Sequence, residues 1–311
     1  MRNWADSVLQ QKIIPITHAR THFSPGAANE FYSEADYWWP SAEAPDGPYV
    51  SRDGLSNPDC FNRHRKLMIR MSCQVAALAL ACRRYRDRRY LDGCAAILRA
   101  WFIDPASAMR PHLNYAQAIR RRCPGRSYGV IDSIHLAEVA LAAKLLENDL
   151  PAPVTAGVRC WFEAYLAWLV DGEPGRTERC AHNNHAVCWY MQAAAFAVLT
   201  GDRALLAELR RDFREILLRQ MAPDGSFPME LRRSKPYSYS LFILEALSGL
   251  ATLLSRDDEN FFLTAGPGGR RLADGVAFLY PYIKDKSSWP YGEDAQRSEE
   301  HTSELQSRLH L

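Results

Sequence analysis

The chain has 311 residues, 47% apolar and 24% charged, the balance of an ordinary globular protein and enough length for one large domain or two small ones. Its formal charge is +2, and the last fourteen residues hold three Glu and one Arg, leaving +4 on residues 1–297, too mild a surplus for a nucleic-acid footprint. The basic side chains are 32 Arg against 6 Lys, a bias that suits bidentate recognition of carboxylates and that a GC-rich coding sequence would also produce.

Residues 1–22 are mixed and predict no element. A loop rich in Pro, Gly, Asp and aromatics follows over 23–58, containing Tyr37-Trp38-Trp39-Pro40 and Asp46-Gly47-Pro48. So long a structureless stretch inside a compact domain is functional or disordered, and the adjacent Trp38 and Trp39 argue against disorder. A helix is predicted over 62–85, with Leu67, Met71, Val75, Leu78 and Cys82 at helical spacing, and another over 88–101, ending before Asp104-Pro105. A second loop spans 106–131. Helices are then expected at 131–148, 154–170, 185–200, 203–220, 238–255 and 269–282, and no stretch alternates strongly enough to demand a strand. Three junctions repeat one pattern, an apolar helix ending just before Asp87, Asp202 or Asp257, each Asp predicted to cap the next helix. Repeated antiparallel hairpins of this kind predict an all-α stack of helical pairs.

The eight Cys include no C-x-x-C pair and sit mostly in apolar helical patterns, where Cys acts as a small hydrophobe. Their even number permits disulfides without arguing for them. No apolar run reaches transmembrane length, and Met1-Arg2-Asn3-Trp4 does not begin a signal peptide. From Ser298 to Leu311 the chain turns polar, loses any core pattern and reads like a translated sequencing adapter, so the natural domain is taken as 1–297, cut near its C-terminus, with 298–311 a non-native tail expected to pack poorly.

The stretch from Cys180 to Tyr239 carries the chemistry. His182-Asn183-Asn184-His185 heads an apolar helix, the turn Thr200-Gly201-Asp202 reverses the chain, and Arg232-Arg233-Ser234-Lys235-Pro236-Tyr237-Ser238-Tyr239 closes it. An out-and-back pair returns Tyr239 towards His185, gathering an amide, an imidazole, a guanidinium and a phenol at one end of a helical hairpin. Such a set can remove a proton next to a carboxylate. Donors aimed at the carboxylate oxygens offset the second negative charge of the carbanion. A base takes the proton and an acid protonates the departing oxygen. Tyr239 serves as both if a neighbouring Arg favours its phenolate, and His185 is the other candidate base.

These residues, with Trp189, Asp224-Gly225-Ser226-Phe227-Pro228-Met229-Glu230-Leu231 and Tyr237-Ser238-Tyr239-Ser240-Leu241-Phe242, resemble the alginate-lyase-like superfamily of polysaccharide lyases. The nearest branch is polysaccharide lyase family 38, which cleaves alginate or glucuronan. The resemblance implies an incomplete (α/α) toroid of antiparallel helical hairpins around a central substrate cleft, acting on an acidic polysaccharide by β-elimination without metal or cofactor. It implies that Asn184 neutralises the uronate carboxylate, that His185 neutralises it or acts as base, that Arg233 supports the site with Arg232 the adjacent alternative, and that Tyr239 is the catalytic acid and base. Arg65, beside His64, and Gln117 and Arg126 match elements that relatives carry near the cleft and are expected to contact substrate. Trp38, Trp39 and Tyr237 join them as aromatic faces that stack on sugar rings or anchor the loop. The expected protein is a monomer without nucleic-acid or membrane partners, periplasmic or secreted, its leader missing from this chain.

Three other readings remain open. Cys180, His182, His185 and Cys188 fall within nine residues but would struggle to surround one zinc ion. A glycoside hydrolase on the same helices would need two paired carboxylates, with Asp53, Asp59, Asp224 and Glu230 available. A non-catalytic glycan-binding helical-repeat protein would bind without turnover.

Overall fold

The structure is a computed structural model describing residues 1–44 and 46–294; the adapter-like tail 298–311 lies outside the described residues. Apolar helical spacing produces long helices where it was expected: α2 (Arg63–Tyr85), α3 (Arg88–Phe102), α4 (Leu136–Leu145), α5 (Ala152–Asp171), α7 (Asn184–Thr200), α8 (Arg203–Glu215), α10 (Pro236–Leu254) and α11 (Leu272–Lys284). Helices α1 (Arg2–Leu9), α6 (Glu173–Arg179) and α9 (Pro228–Leu231) are additional, too short or too polar to stand out by periodicity.

Two of the repeated Asp residues cap as expected. Asp87 accepts from Arg89 N at 3.0 Å and Asp202 from Leu205 N at 2.9 Å, each satisfying a donor that the first helical turn leaves open. Asp257 does not: α10 ends at Leu254, an Arg256–Glu259 bridge follows, and α11 is opened instead by Asp274, whose carboxylate accepts from Arg271 N at 2.8 Å.

The helices form two layers. α2, α4, α7 and α10 pack side by side in that order, and α3, α5, α8 and α11 cover them on the outside. α7 is buried almost all round, from Ala186 through Leu199, so it is the spine of the core. Each outer helix returns the chain, so the N-termini of the four inner helices gather at one end. By length and composition α10 is apolar enough to cross a membrane, against the sequence expectation, but it packs on α7 and α11 as a core helix.

Short strands also appear where none was expected. β1 (Tyr32–Glu34) pairs in parallel with β4 (Tyr115–Ala118), Tyr32 opposite Tyr115, and β2 (Trp38–Trp39) pairs antiparallel with β3 (Val50–Ser51). Runs of two to four residues leave no alternation to read. The β1–β4 pairing ties the two long loops together, and the β2–β3 pairing closes the first loop on itself. A buried ion pair fixes these loops: Glu34 accepts from Arg120 Nε and Nη2, each at 2.8 Å, and from Phe61 N at 2.8 Å. None of the eight Cys forms a disulfide, and Cys60, Cys82, Cys94 and Cys188 are buried.

Candidate active site

Asn183 caps α7, its side chain accepting from His185 N at 3.2 Å, and so sets Asn184 and His185 in the first helical turn. His185 is only partly exposed. Its Nδ1 donates to Glu178 Oε2 at 2.7 Å, and its ring meets the edge of Tyr128 at 4.9 Å. When the ring is neutral this bond places the proton on Nδ1 and leaves Nε2 as the basic nitrogen. Glu178, 3% exposed at the end of α6, is a partner the sequence reading did not find, because nothing local marks a helix-terminal Glu seven residues before a His.

Asn184 is 1% exposed. Its backbone N–H donates to Glu230 Oε1 at 2.7 Å and its Nδ2 to Oε2 at 2.8 Å, while its Oδ1 is buried without a hydrogen-bond partner. Glu230, on α9, therefore holds the start of α7 with both oxygens. Burial raises its pKa, and the Asn184 bonds and Arg233 pull against that without overcoming it.

Arg233 follows three residues after Glu230. Its Nη2 donates to Tyr239 Oη at 3.0 Å and to Asp53 Oδ1 at 3.1 Å, and its guanidinium lies 4.1 Å from the Tyr239 ring centre. Tyr37, from the first loop, brings a second phenol to 3.3 Å from Tyr239 Oη. Burial, and then Tyr37, push the Tyr239 phenol well above its ordinary range. Arg233 pulls it down, as the sequence reading expected, but is outweighed. The resting side chain is therefore a protonated phenol at neutral pH.

The expected substrate contacts divide into two groups. Arg126 donates from Nε to the Gln117 carbonyl at 2.9 Å and lies 5.7 Å from the Trp38 ring and 4.8 Å from the Tyr128 ring, so Trp38, Gln117 and Arg126 are linked through Tyr128 to His185. Gln117 holds a left-handed backbone (φ 54°) and donates from Nε2 to buried Asp132 at 2.9 Å. Arg65 bridges Asp36, at 2.5 Å, and Asp132, at 3.6 Å, fastening the loop base to α2. Trp39 and Tyr237 are placed elsewhere. Trp39 donates to the Leu55 carbonyl at 3.0 Å under Arg52, and Tyr237 donates to the Tyr282 carbonyl at 3.2 Å against Trp289. His64 is structural, accepting from Tyr32 N at 3.0 Å. Among the described residues no three Cys, His, Asp or Glu side chains are arranged to hold a metal ion, and Cys188 is buried in the core.

One continuous array thus runs from Glu178 and His185 through Asn184 and Glu230 to Arg233 and Tyr239. It joins a carboxylate-held imidazole, a buried amide, a guanidinium and a protonated phenol. The sequence model of the family described as alginate lyase matches residues 16–289. An alginate lyase from Bacteroides ovatus is similar in structure over 97% of this chain and 81% of that one, at TM-score 0.86 and 28% identity. An alginate lyase A1-III complexed with a tetrasaccharide is similar at TM-score 0.63 and 17% identity, over 92% and 77% of the two chains. Alginate lyase A1-III from Sphingomonas species A1 is similar at TM-score 0.55 and 17% identity over the same shares. These last two speak for the fold alone. The two helical layers are those of an incomplete (α/α) toroid. No curated protein matches the chain.

Proposed function

The chain belongs to the alginate lyase family and is a polysaccharide lyase, and from that premise we propose that it cleaves a 1,4-linked polyuronate, alginate first and glucuronan second, by β-elimination that its own side chains suffice to drive. Arg233 leads the neutralisation of the uronate carboxylate, which displaces the exposed Asp53 from its guanidinium. Asn184 adds the second N–H of its amide. Cation and dipole fixed in place before reaction stabilise the developing enolate without reorganisation.

Proton movement divides between two residues. Tyr239, held as a phenol, protonates the departing glycosidic oxygen, and Arg233 stabilises the phenolate that results. His185 takes the α-proton on Nε2, with Glu178 holding the ring and fixing the tautomer, as carboxylate partners of catalytic histidines do. Tyr239 acting as both base and acid is the alternative that the family resemblance implies, and it requires the phenolate at rest, which burial disfavours. The observation that carries this reading is the Arg233–Tyr239 contact set across Glu230 from the His185–Glu178 pair. Since a polymer of this kind does not cross a membrane unaided, we place its work in the periplasm or outside the cell.

Incubation with mannuronate- and guluronate-rich alginate, glucuronan and an uncharged glycan tests the proposal. Growth of near-ultraviolet absorbance from an unsaturated uronate is expected with at least one of the acidic polymers. New reducing ends without that absorbance would mean hydrolysis, and binding without either would mean a glycan-binding protein.

A further inference from the structure

Immediately after β4 the chain makes a tight turn closed by Ile119 and Cys123, with Arg120, Arg121 and Arg122 at its tip and Arg121 forced to φ 59°. A left-handed backbone at a non-glycine residue costs on the order of 1–2 kcal/mol, a cost the turn places on Arg121 alone. The fates of the three arginines differ. Arg120 is neutralised by Glu34 and bonded to the Asp59 carbonyl and the Tyr49 hydroxyl. Arg121 faces the exposed Asp46 at 3.4 Å. Arg122 is exposed, its guanidinium lies 4.9 Å from the Trp38 ring, and it makes no ion pair with any carboxylate among the described residues.

Arg122 also lines a cavity of about 430 Å³ whose walls include Phe23, Tyr49, Arg120 and Arg121. That volume is suited to a single sugar ring, and the guanidinium groups in its walls suit a ring that bears a carboxylate, while Arg120 already lies over the Phe23 ring at 3.9 Å and the Tyr49 ring at 5.7 Å. None of the residues of the catalytic array is in its walls; the two are joined by a line of side-chain contacts that starts at Arg122. Trp38 is flanked by Arg122 and, at 5.7 Å, by Arg126; Arg126 then meets Tyr128, and Tyr128 meets His185. Rings and guanidiniums alternate along this line, as a chain of linked uronates would require.

We propose that the cavity at the 119–123 turn is a distal binding subsite for one uronate of the polymer, with Arg122 pairing its carboxylate. The proposal rests on the polyuronate reading above and adds to it a ligand-holding residue remote from the bond that breaks. An exposed guanidinium already oriented by Trp38 forms a charge-assisted pair without first breaking an internal one.

The test compares wild type with Arg122→Ala and Arg122→Lys on uronate oligomers of increasing length. For wild type, kcat/KM is expected to step up at the length that first reaches the cavity. Arg122→Ala should lose about tenfold of that step, equal to about 1.4 kcal/mol, and Arg122→Lys, which keeps the charge but not the planar fork, should lose part of it. The same length dependence in all three proteins would overturn the proposal. Calorimetry with saturated oligouronates, which need no turnover, separates this site from the reaction. Weaker binding to Arg122→Ala supports the subsite even if no polymer is cleaved, whereas unchanged binding, or equal displacement by free phosphate at matched ionic strength, rejects it even if the protein proves an active lyase.

Discussion

At the scale of single residues the site separates groups that react from groups that hold them. Tyr239→Phe removes one hydroxyl and should lower kcat by about 10²–10⁴-fold, the usual worth of a positioned acid, while KM changes little; parallel losses in kcat and binding would give the phenol a structural role instead. Glu178→Gln keeps the shape beside His185 but no longer fixes the Nδ1 proton, so kcat should again fall by about 10²-fold or more with KM near wild type. Equal turnover would exclude His185 as the base. Glu230 gives a prediction in pH. Its folded pKa lies above its unfolded value, so its stability contribution is complete below the unfolded pKa and is lost as pH rises through the folded one. Thermal melts of wild type and Glu230→Gln from about pH 4 to 7 should therefore shift against wild type as pH rises. A constant difference would show that Glu230 does not ionise in that window. Asp53 has the opposite sign. Burial opposes its ionisation, but Arg233 and Ser234 hold its pKa below the ordinary range, so its ion pair persists above the unfolded carboxylate pKa and is lost in stronger acid.

At the scale of elements, two glycines show how the same substitution acts through different physics. Gly201 ends α7 at φ 82° with open space around it, so Gly201→Ala meets only the left-handed penalty, about 1 kcal/mol, and the melting temperature should drop by roughly 2–4 °C with kinetics unchanged. Gly125 lies against β4, where an added Cβ would sit 2.1 Å from the Asn114 carbonyl, a backbone atom that cannot swing aside. Gly125→Ala must push the strand and the adjacent Arg126 apart, so it should melt much earlier and raise KM as well. A KM equal to wild type would detach Arg126 from substrate binding. The sequence announced Gly201 through the Thr200-Gly201-Asp202 turn. Local sequence does not show the crowding at Gly125, because the Asn114 carbonyl is brought beside it only by the tertiary structure.

At the scale of the whole molecule, the two-layer arrangement points four inner helix N-termini at the same end, and partial positive charge there adds to the arginines in favouring an anionic polymer. With the net charge nearly balanced, this attraction is local to the cleft end, and salt should weaken it: KM for polyuronate is expected to climb several-fold from low to physiological ionic strength while kcat stays nearly level. A salt-independent KM would remove electrostatics from substrate capture. The amino-acid sequence determined the long helices, the caps at Asp87 and Asp202, and the chemical types at Asn184, His185, Arg233 and Tyr239, because helical spacing, capping and turn chemistry are local and are written in neighbouring residues. Only the tertiary structure decided that Glu178 holds His185, that Glu230 grips Asn184, that Tyr37 and Asp53 reach Arg233 and Tyr239, and that Trp39 and Tyr237 face other parts of the protein. Each of those outcomes is a choice of partner, made by side chains distant along the chain or turned by loops without periodicity, and it is fixed by packing and burial that no local pattern encodes.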